Sequence, residues 1–584
     1  MKYNSTGTKQ AKHHITITKS IHTSINKVLT LLPISSSVLG IVATISTALV
    51  PISLPGISYA DAIGPLEPQQ RSIEARKLRT DAAQANFLEP LPAHPENGDE
   101  NTYVDRINSY TKGLPHDDDG IVDPVAYDAL INALKSGNPA DFDVIPMGFG
   151  NFKLRNPQAA YSYFMEGKDP HSYTMPAAPK FASAWQASEA IEVMWQALTR
   201  DVPFMNYGSS GLIQDAVNDM NNMSDFRGPK DGNNVTSQTL FRGIGVGETV
   251  GPYISQFLLQ PIPFGAMTVE QKYKVPTANS INDYLKNYAD WLLIQNGGKL
   301  SEDAAFKEYY EEPRYLFNGR ALAEYVLKDF VFQAYLGAAR IIRGYGSNAY
   351  DTNDPYQSEA AEARSPLFGN NHALDFIGRV SMGSQNVAWF QKWLVHRRAR
   401  PEVFFGRVHN HLTQEDINYP IHGDALNSSA LIKVRELYGT YLLPTATPDG
   451  SPLHPTYPAG HAVMAGAAVT MLKAFFNGDF VIENPVIPSE DGTELIPYEA
   501  PEGEPPLTIE SELNKLGSNI SLGRDVAGVH YRTDGDLGMA LGEEYAISVL
   551  RELVKTYNED FAGWTFNKFD GTPVLVSKEG VFFN

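Results

Sequence analysis

Apolar residues recur at three- and four-residue steps through much of the chain beyond residue 180, and that period restricts it to a largely helical fold. Ala184, Ala187, Ile191, Met194, Trp195 and Leu198 form one such stripe; Leu322, Val326, Phe330, Ala334 and Ile341 form a longer one. His461 to Phe476 is an alanine-rich apolar run, read as a buried helix opened by Gly460. Leu541, Tyr545, Val549 and Leu553 place an amphipathic helix over 541–554. Alternation with period two is short and rare. The expected fold class is therefore mainly α, a helix-bundle core with few short strands.

The rest of the chain divides by composition. Residues 1–60 hold five lysines and no acid, and nothing is charged from Val28 to Ala60. Segment 1–62 is read as a signal peptide for export, with an N-terminal membrane anchor as the alternative; Pro33, Pro51 and Pro55 oppose a clean membrane helix. Asp61 to Pro146 is polar, proline-rich and weakly periodic, apart from a helical patch around Val125 to Leu134. Residues 63–180 are expected to wrap the surface or mediate oligomerisation, and 181–584 to form the helical domain. Within that domain Asp479 to Glu512 carries ten acidic residues and no basic one, the pattern of a solvated loop over 479–512.

Charge and cysteine content narrow the function. A net charge of −20 argues against a general nucleic-acid binder, and the absence of cysteine excludes disulfides, thiolate metal sites and cysteine nucleophiles. Against that acidic background Lys392, Arg397, Arg398, Arg400 and Arg407 face only Glu402 within Lys392–Arg407. A concentrated positive site inside an acidic protein reads as a pocket for a small anion.

Three separated pieces supply the groups such a pocket needs. Lys392 and Arg400 lie in KWLVHRRARPE, His454 and His461 in HPTYPAGH, and Arg524, His530 and Asp534 in GRDVAGVHYRTD. Lysine is a compact point charge, and each arginine a planar fork matched to two oxygens. One histidine can move a proton while another coordinates a central atom through a ring nitrogen. Gly460 opens a helix, where backbone N–H groups and the dipole favour an anion. The Arg524–His530 spacing is too wide for one helix face, so the intervening residues are expected to turn into a following helix. Taken singly each piece has a plain reading: a solvated basic face, a glycine at a helix start, a structural histidine. Together, in one order, they point to chemistry on a tetrahedral oxyanion.

Order and spacing resemble the superfamily shared by vanadium-dependent haloperoxidases and phosphatidic-acid-phosphatase-type acid phosphatases. KWLVHRRARPE and His454 resemble the algal-type bromoperoxidases in particular. The resemblance implies two four-helix bundles, vanadate as cofactor, and oxidation of halide, bromide first, by hydrogen peroxide to a hypohalous acid equivalent that halogenates small organic nucleophiles. It implies that His530 binds the vanadium, that Lys392, Arg400, Arg524 and the Gly460 N–H surround its oxygens, and that His461, His454 and Lys392 are catalytic. It also implies a homo-oligomer. The alternative is an acid phosphatase using the same oxyanion site, with His530 as nucleophile oriented by Asp534. Ala459 departs from the family, which has serine there. Calcium occurs in some relatives; Asp351 and Asp354, with Gln357, could supply oxygen ligands, and a surface Asp turn is the plainer reading.

Overall fold

Twelve α-helices of ten residues or more carry the fold in the computed structural model, which describes residues 64–358 and 361–583. They are α1 (Pro68–Leu88), α2 (Pro124–Ser136), α3 (Ala184–Leu198), α4 (Gly211–Asn221), α5 (Gly319–Lys328) and α6 (Gln333–Gly344). There follow α7 (Asn370–Phe390), α8 (Pro401–Thr413), α9 (Ser429–Tyr438), α10 (Gly460–Phe475), α11 (Ile509–Val526) and α12 (Arg532–Leu553). Strands are short: the hairpins β1 (Ile262–Phe264) with β2 (Met267–Val269) and β3 (Val486–Pro488) with β4 (Leu495–Pro497), and an antiparallel sheet of β5 (Trp564–Asn567), β6 (Pro573–Ser577) and β7 (Gly580–Phe583). The expected mainly α class holds.

Helix α10 is the axis of the core. Every residue from Ala462 to Phe475 is buried, and α7, α11 and α12 pack round it as a four-helix bundle. The run contains no proline and many alanines, so it stays helical at little conformational cost and lets neighbours approach closely. Gly542 of α12 marks the closest approach: a β-carbon there would lie 2.0 Å from the Val463 carbonyl oxygen and 2.7 Å from the Ala467 nitrogen. Backbone cannot give way as a side-chain tip can. Gly542→Ala should therefore destabilise by at least about 1–3 kcal/mol, the usual scale of overpacking, read as a lower denaturant midpoint with an unchanged slope.

Several expectations shift against this frame. The long stripe from Leu322 to Ile341 is two helices, because α5 ends at Lys328 and α6 begins at Gln333; Phe330 lies between them, half exposed. Helix α12 starts at Arg532, nine residues before the apolar stripe that announced it. The acidic stretch 479–512 is only partly a loop. It contains the β3–β4 hairpin, and its last four residues are the first turn of α11, where buried Glu512 pairs with Lys515 at 2.5 Å. The helical patch near Val125 is α2, which packs a small satellite core of Tyr110, Leu114, Leu130 and Trp393. Segment 1–62 lies outside the described residues; among those described, no helix is long and apolar enough to cross a membrane.

Candidate functional site

Helix ends from four parts of the chain meet beside α10. After Phe390 the backbone of α7 widens into a π-turn over Gln391–His396, which carries Lys392 inward. Such wide turns displace one residue from the regular ladder and frequently sit at functional sites. Arg400 is the N-cap of α8, with Pro401 at the first helical position. Ala459 is the N-cap of α10, so Gly460 and His461 open that helix. Between α11 and α12 a five-residue turn holds His530, and Gly528 takes φ +81° there, a left-handed conformation that glycine adopts without strain.

The side chains converge as the motif order implied. His530 is buried; its Nδ1 lies 3.0 Å from Asp534 Oδ2 and 3.1 Å from Thr456 Oγ1. Asp534 is itself fixed, accepting from the Tyr531 N–H (2.9 Å), from Arg398 Nη1 (3.0 Å) and from the Thr456 hydroxyl. A carboxylate on Nδ1 keeps the ring proton there, so Nε2 presents a lone pair on the other side, 2.9 Å from Arg400 Nη1. Arg400 also reaches His454, whose ring nitrogens lie 3.0 and 3.3 Å from Nη2. Lys392 donates to the Pro455 and Thr456 carbonyls at 2.6 and 2.9 Å. Arg524 donates to the Val326 carbonyl, and its buried Nε has no partner among the described residues. A cavity of about 200 Å³ lies against Arg524, His530, His454, His461, Gly460 and Trp389.

This is an electrostatically expensive arrangement. Lys392 and Arg400 are fully buried and Arg524 nearly so, yet none of the three forms an ion pair among the described residues. Burial, with Arg400 and Arg524 nearby, pushes Lys392 far below the usual lysine range. Burial brings Arg400 and Arg524 down to about 10. His530 and His454 are held neutral, first by desolvation and then by the surrounding cations. Uncompensated buried charge normally carries a penalty of several kcal/mol, so the arrangement fits a site completed by an anion.

The sequence reading missed three contributors. Asp329 caps the C-terminus of α5, where a carboxylate opposes the helix dipole; it accepts from His461 Nε2 at 3.1 Å and lies near Arg524. An acid at a helix C-terminus was the available signal. Arg398, which the sequence leaves as either a solvated basic residue or a partner of acidic surface groups, is buried and holds Asp534 and Glu189. Arg397 likewise pairs with Glu100. Thr456 fixes both Asp534 and His530 from within the HPTYPAGH loop.

Calcium finds no support. Asp351 and Asp354 are buried rather than on a surface turn, and each closes a local turn by accepting from Asn353 or Tyr356. Arg364 lies 3.2 Å from Asp354, Gln357 donates to carbonyls, and no cluster of three metal-ligating side chains occurs among the described residues.

Comparison with known proteins agrees with this geometry. Residues 380–559, which span Lys392 to Asp534, match the family model of the VCPO second helical-bundle domain. Over 544 residues the chain is 33% identical to a vanadium-dependent bromoperoxidase of Ascophyllum nodosum, covering 89% of this chain and 95% of that relative. The chain belongs to the vanadium-dependent bromoperoxidase family. A bromoperoxidase of Corallina pilulifera is 30% identical over 575 residues, covering 84% of this chain and 94% of the relative. The homohexameric second vanadate-dependent bromoperoxidase of Ascophyllum nodosum superposes with a TM-score of 0.85 at 29% identity, over 91% of this chain and 95% of that one. The bromoperoxidase resemblance carried by KWLVHRRARPE and His454 is thus borne out over most of the chain.

Proposed function

We propose that this bromoperoxidase-family enzyme uses vanadate and hydrogen peroxide to oxidise bromide to a hypohalous acid equivalent, which halogenates small organic nucleophiles. One observation carries the reading: Lys392, Arg400 and Arg524 are buried with no carboxylate ion pair among the described residues, around a histidine whose Nε2 lone pair meets only the Arg400 guanidinium and no carboxylate. His530 would bind the vanadium, with Lys392, Arg400, Arg524 and the Gly460 N–H around its oxygens. Bound vanadate supplies a Lewis acid that activates peroxide without changing its own oxidation state.

The chain's own groups divide the remaining work. Asp534 fixes the His530 tautomer, and Arg398 and Thr456 fix Asp534. His461 lines the cavity with its side chain 29% exposed, so it can exchange protons with solvent. Asp329 orients its ring and stabilises the imidazolium formed when Nδ1 takes a proton from peroxide. Lys392 and Arg400 place positive charge where it would withdraw electron density from a bound oxyanion. His454 and Trp389, ring centroids 4.9 Å apart, wall the cavity. Exposed Phe87, Leu88 and Leu91 in the N-terminal stretch, with the homohexameric neighbour, support a homo-oligomer. The basic-then-apolar segment 1–60 supports export.

Reconstitution tests the reading. Protein stripped of metal should brominate a phenolic dye with peroxide and bromide only after vanadate is added; equal rates without vanadate would overturn it. The Ala459 departure adds a second expectation. A serine hydroxyl at this N-cap would accept from a first-turn N–H and keep its own proton for the oxyanion. Ala459→Ser should raise stability by about 0.5–2 kcal/mol and tighten vanadate binding up to about tenfold. The checks are a denaturation curve and a vanadate titration of both proteins; identical values in both would mean the side chain faces neither.

A further inference from the structure

A larger cleft, about 1130 Å³, adjoins the catalytic cavity. One wall is the chain from Asn151 to Phe164, the other the outer face of α7. Gln385 and Trp389 line both spaces, so a single helix face separates bromide chemistry from this cleft. The junction is firmly tied. The Trp389 indole N–H donates to the Arg155 carbonyl at 2.9 Å, and the Arg155 N–H donates to the Leu453 carbonyl, also at 2.9 Å, one residue before His454.

The lining has a definite chemical character. Phe152, Tyr163, Phe164 and Met382 give it aromatic and apolar surface beside neutral polar groups such as Asn156, Gln158 and Asn386, and Tyr163 and Met382 are 87% and 71% exposed. Large apolar side chains left in solvent around one concavity are a usual sign of a ligand surface. Lys153 and Arg155 supply two cations, and no carboxylate lines the cleft, although the chain's net charge is −20. Aromatic side chains beside two cations, with neutral polar groups and no acid, suit a flat, electron-rich molecule bearing one negative group. An arginine fork pairs naturally with a carboxylate.

We propose that this cleft binds the organic acceptor of the halogenation, an electron-rich arene or enol carrying a carboxylate. It holds the nucleophilic carbon beside the site where bromide is oxidised; the inference rests on the bromide-oxidising reading above. Hydrogen peroxide removes two electrons from bromide, giving hypobromous acid and water with uptake of one proton. In the cleft a π pair of the acceptor forms the carbon–bromine bond as the bromine–oxygen bond breaks. The departing hydroxide takes the proton lost from the same carbon and leaves as water. A bound acceptor meets the oxidised bromine at high local concentration before it diffuses away.

The test is a competition run on the full chain reconstituted with vanadate. Equimolar 4-hydroxyphenylacetate and 4-hydroxyphenylacetamide are brominated under limiting peroxide, and the ratio of brominated acid to brominated amide is compared with that from reagent hypobromous acid. The enzyme should favour the acid by about fivefold over the reagent, the scale of one charge-assisted contact in a partly exposed site. The double variant Lys153→Gln, Arg155→Gln should return the ratio to the reagent value, each product normalised to bromide consumed. Met382→Trp, which narrows the cleft and leaves both cations in the chain, should do the same. A wild-type ratio equal to the reagent ratio, or a bias that survives in both variants, overturns the proposal. No vanadate-dependent bromide consumption with either acceptor would instead sink the bromide-oxidising reading, and this proposal with it.

Discussion

His530→Ala should fold, bind no vanadate at micromolar concentration and show no bromide oxidation above the vanadate-free background. Its fold should survive because Asp534 keeps Arg398, the Tyr531 N–H and Thr456 as partners when the ring is gone. Binding should not, because Nε2 is the ring nitrogen that Asp534 leaves free to coordinate. Loss of an outer partner at a metal site usually lowers affinity by about 10–100-fold, so Asp534→Asn should fall in that range and His530→Ala well beyond it. Vanadate titrations of the three proteins rank them. Equal affinity in wild type and His530→Ala would mean that the oxyanion is held elsewhere.

His461→Ala should separate chemistry from binding. The histidine sits at the start of α10 against Asp329 and contributes no hydrogen bond to Lys392, Arg400 or His530. Vanadate affinity should change only a few-fold, while the bromide oxidation rate falls by roughly 10²–10⁴, the scale of positioned acid–base help. Asp329→Asn keeps a hydrogen-bonding side chain but removes the charge beside the ring, so its loss of rate should be smaller than that of His461→Ala. If His461→Ala lost vanadate as completely as His530→Ala, the division of roles between the two histidines would be wrong.

The site's outline was legible because its chemistry sits in short contiguous pieces. Lys392 with Arg400, His454 with Gly460 and His461, and Arg524 with His530 each keep their spacing at a helix end, where sequence and geometry map closely. The wide Arg524–His530 gap correctly implied a turn into a second helix. What stayed hidden depends on long-range packing. Arg398 looks identical to a solvated arginine until α3 brings Gln186 and Glu189 against it. Asp329 was lost within an apolar stripe that ran unbroken across the α5–α6 boundary, since period matching does not register an extended residue such as Asp329, whose ψ is 152°. Helix α1 was overlooked for the opposite reason. It has no buried residue and hence no apolar stripe to find. In the acidic stretch the start of α11 was masked by charge, although Thr508 and Ser511 form a capping box there.

The central claim is that three buried cations and His530 form a cradle completed by a tetrahedral oxyanion. A vanadate titration of the metal-free protein at rising phosphate concentration tests it most directly. Two tetrahedral anions of similar charge must compete for Lys392, Arg400 and Arg524, so the apparent vanadate dissociation constant should rise in proportion to phosphate while the number of sites stays at one per chain. A vanadate affinity independent of phosphate, or saturation unchanged when His530 is replaced by alanine, would contradict the account.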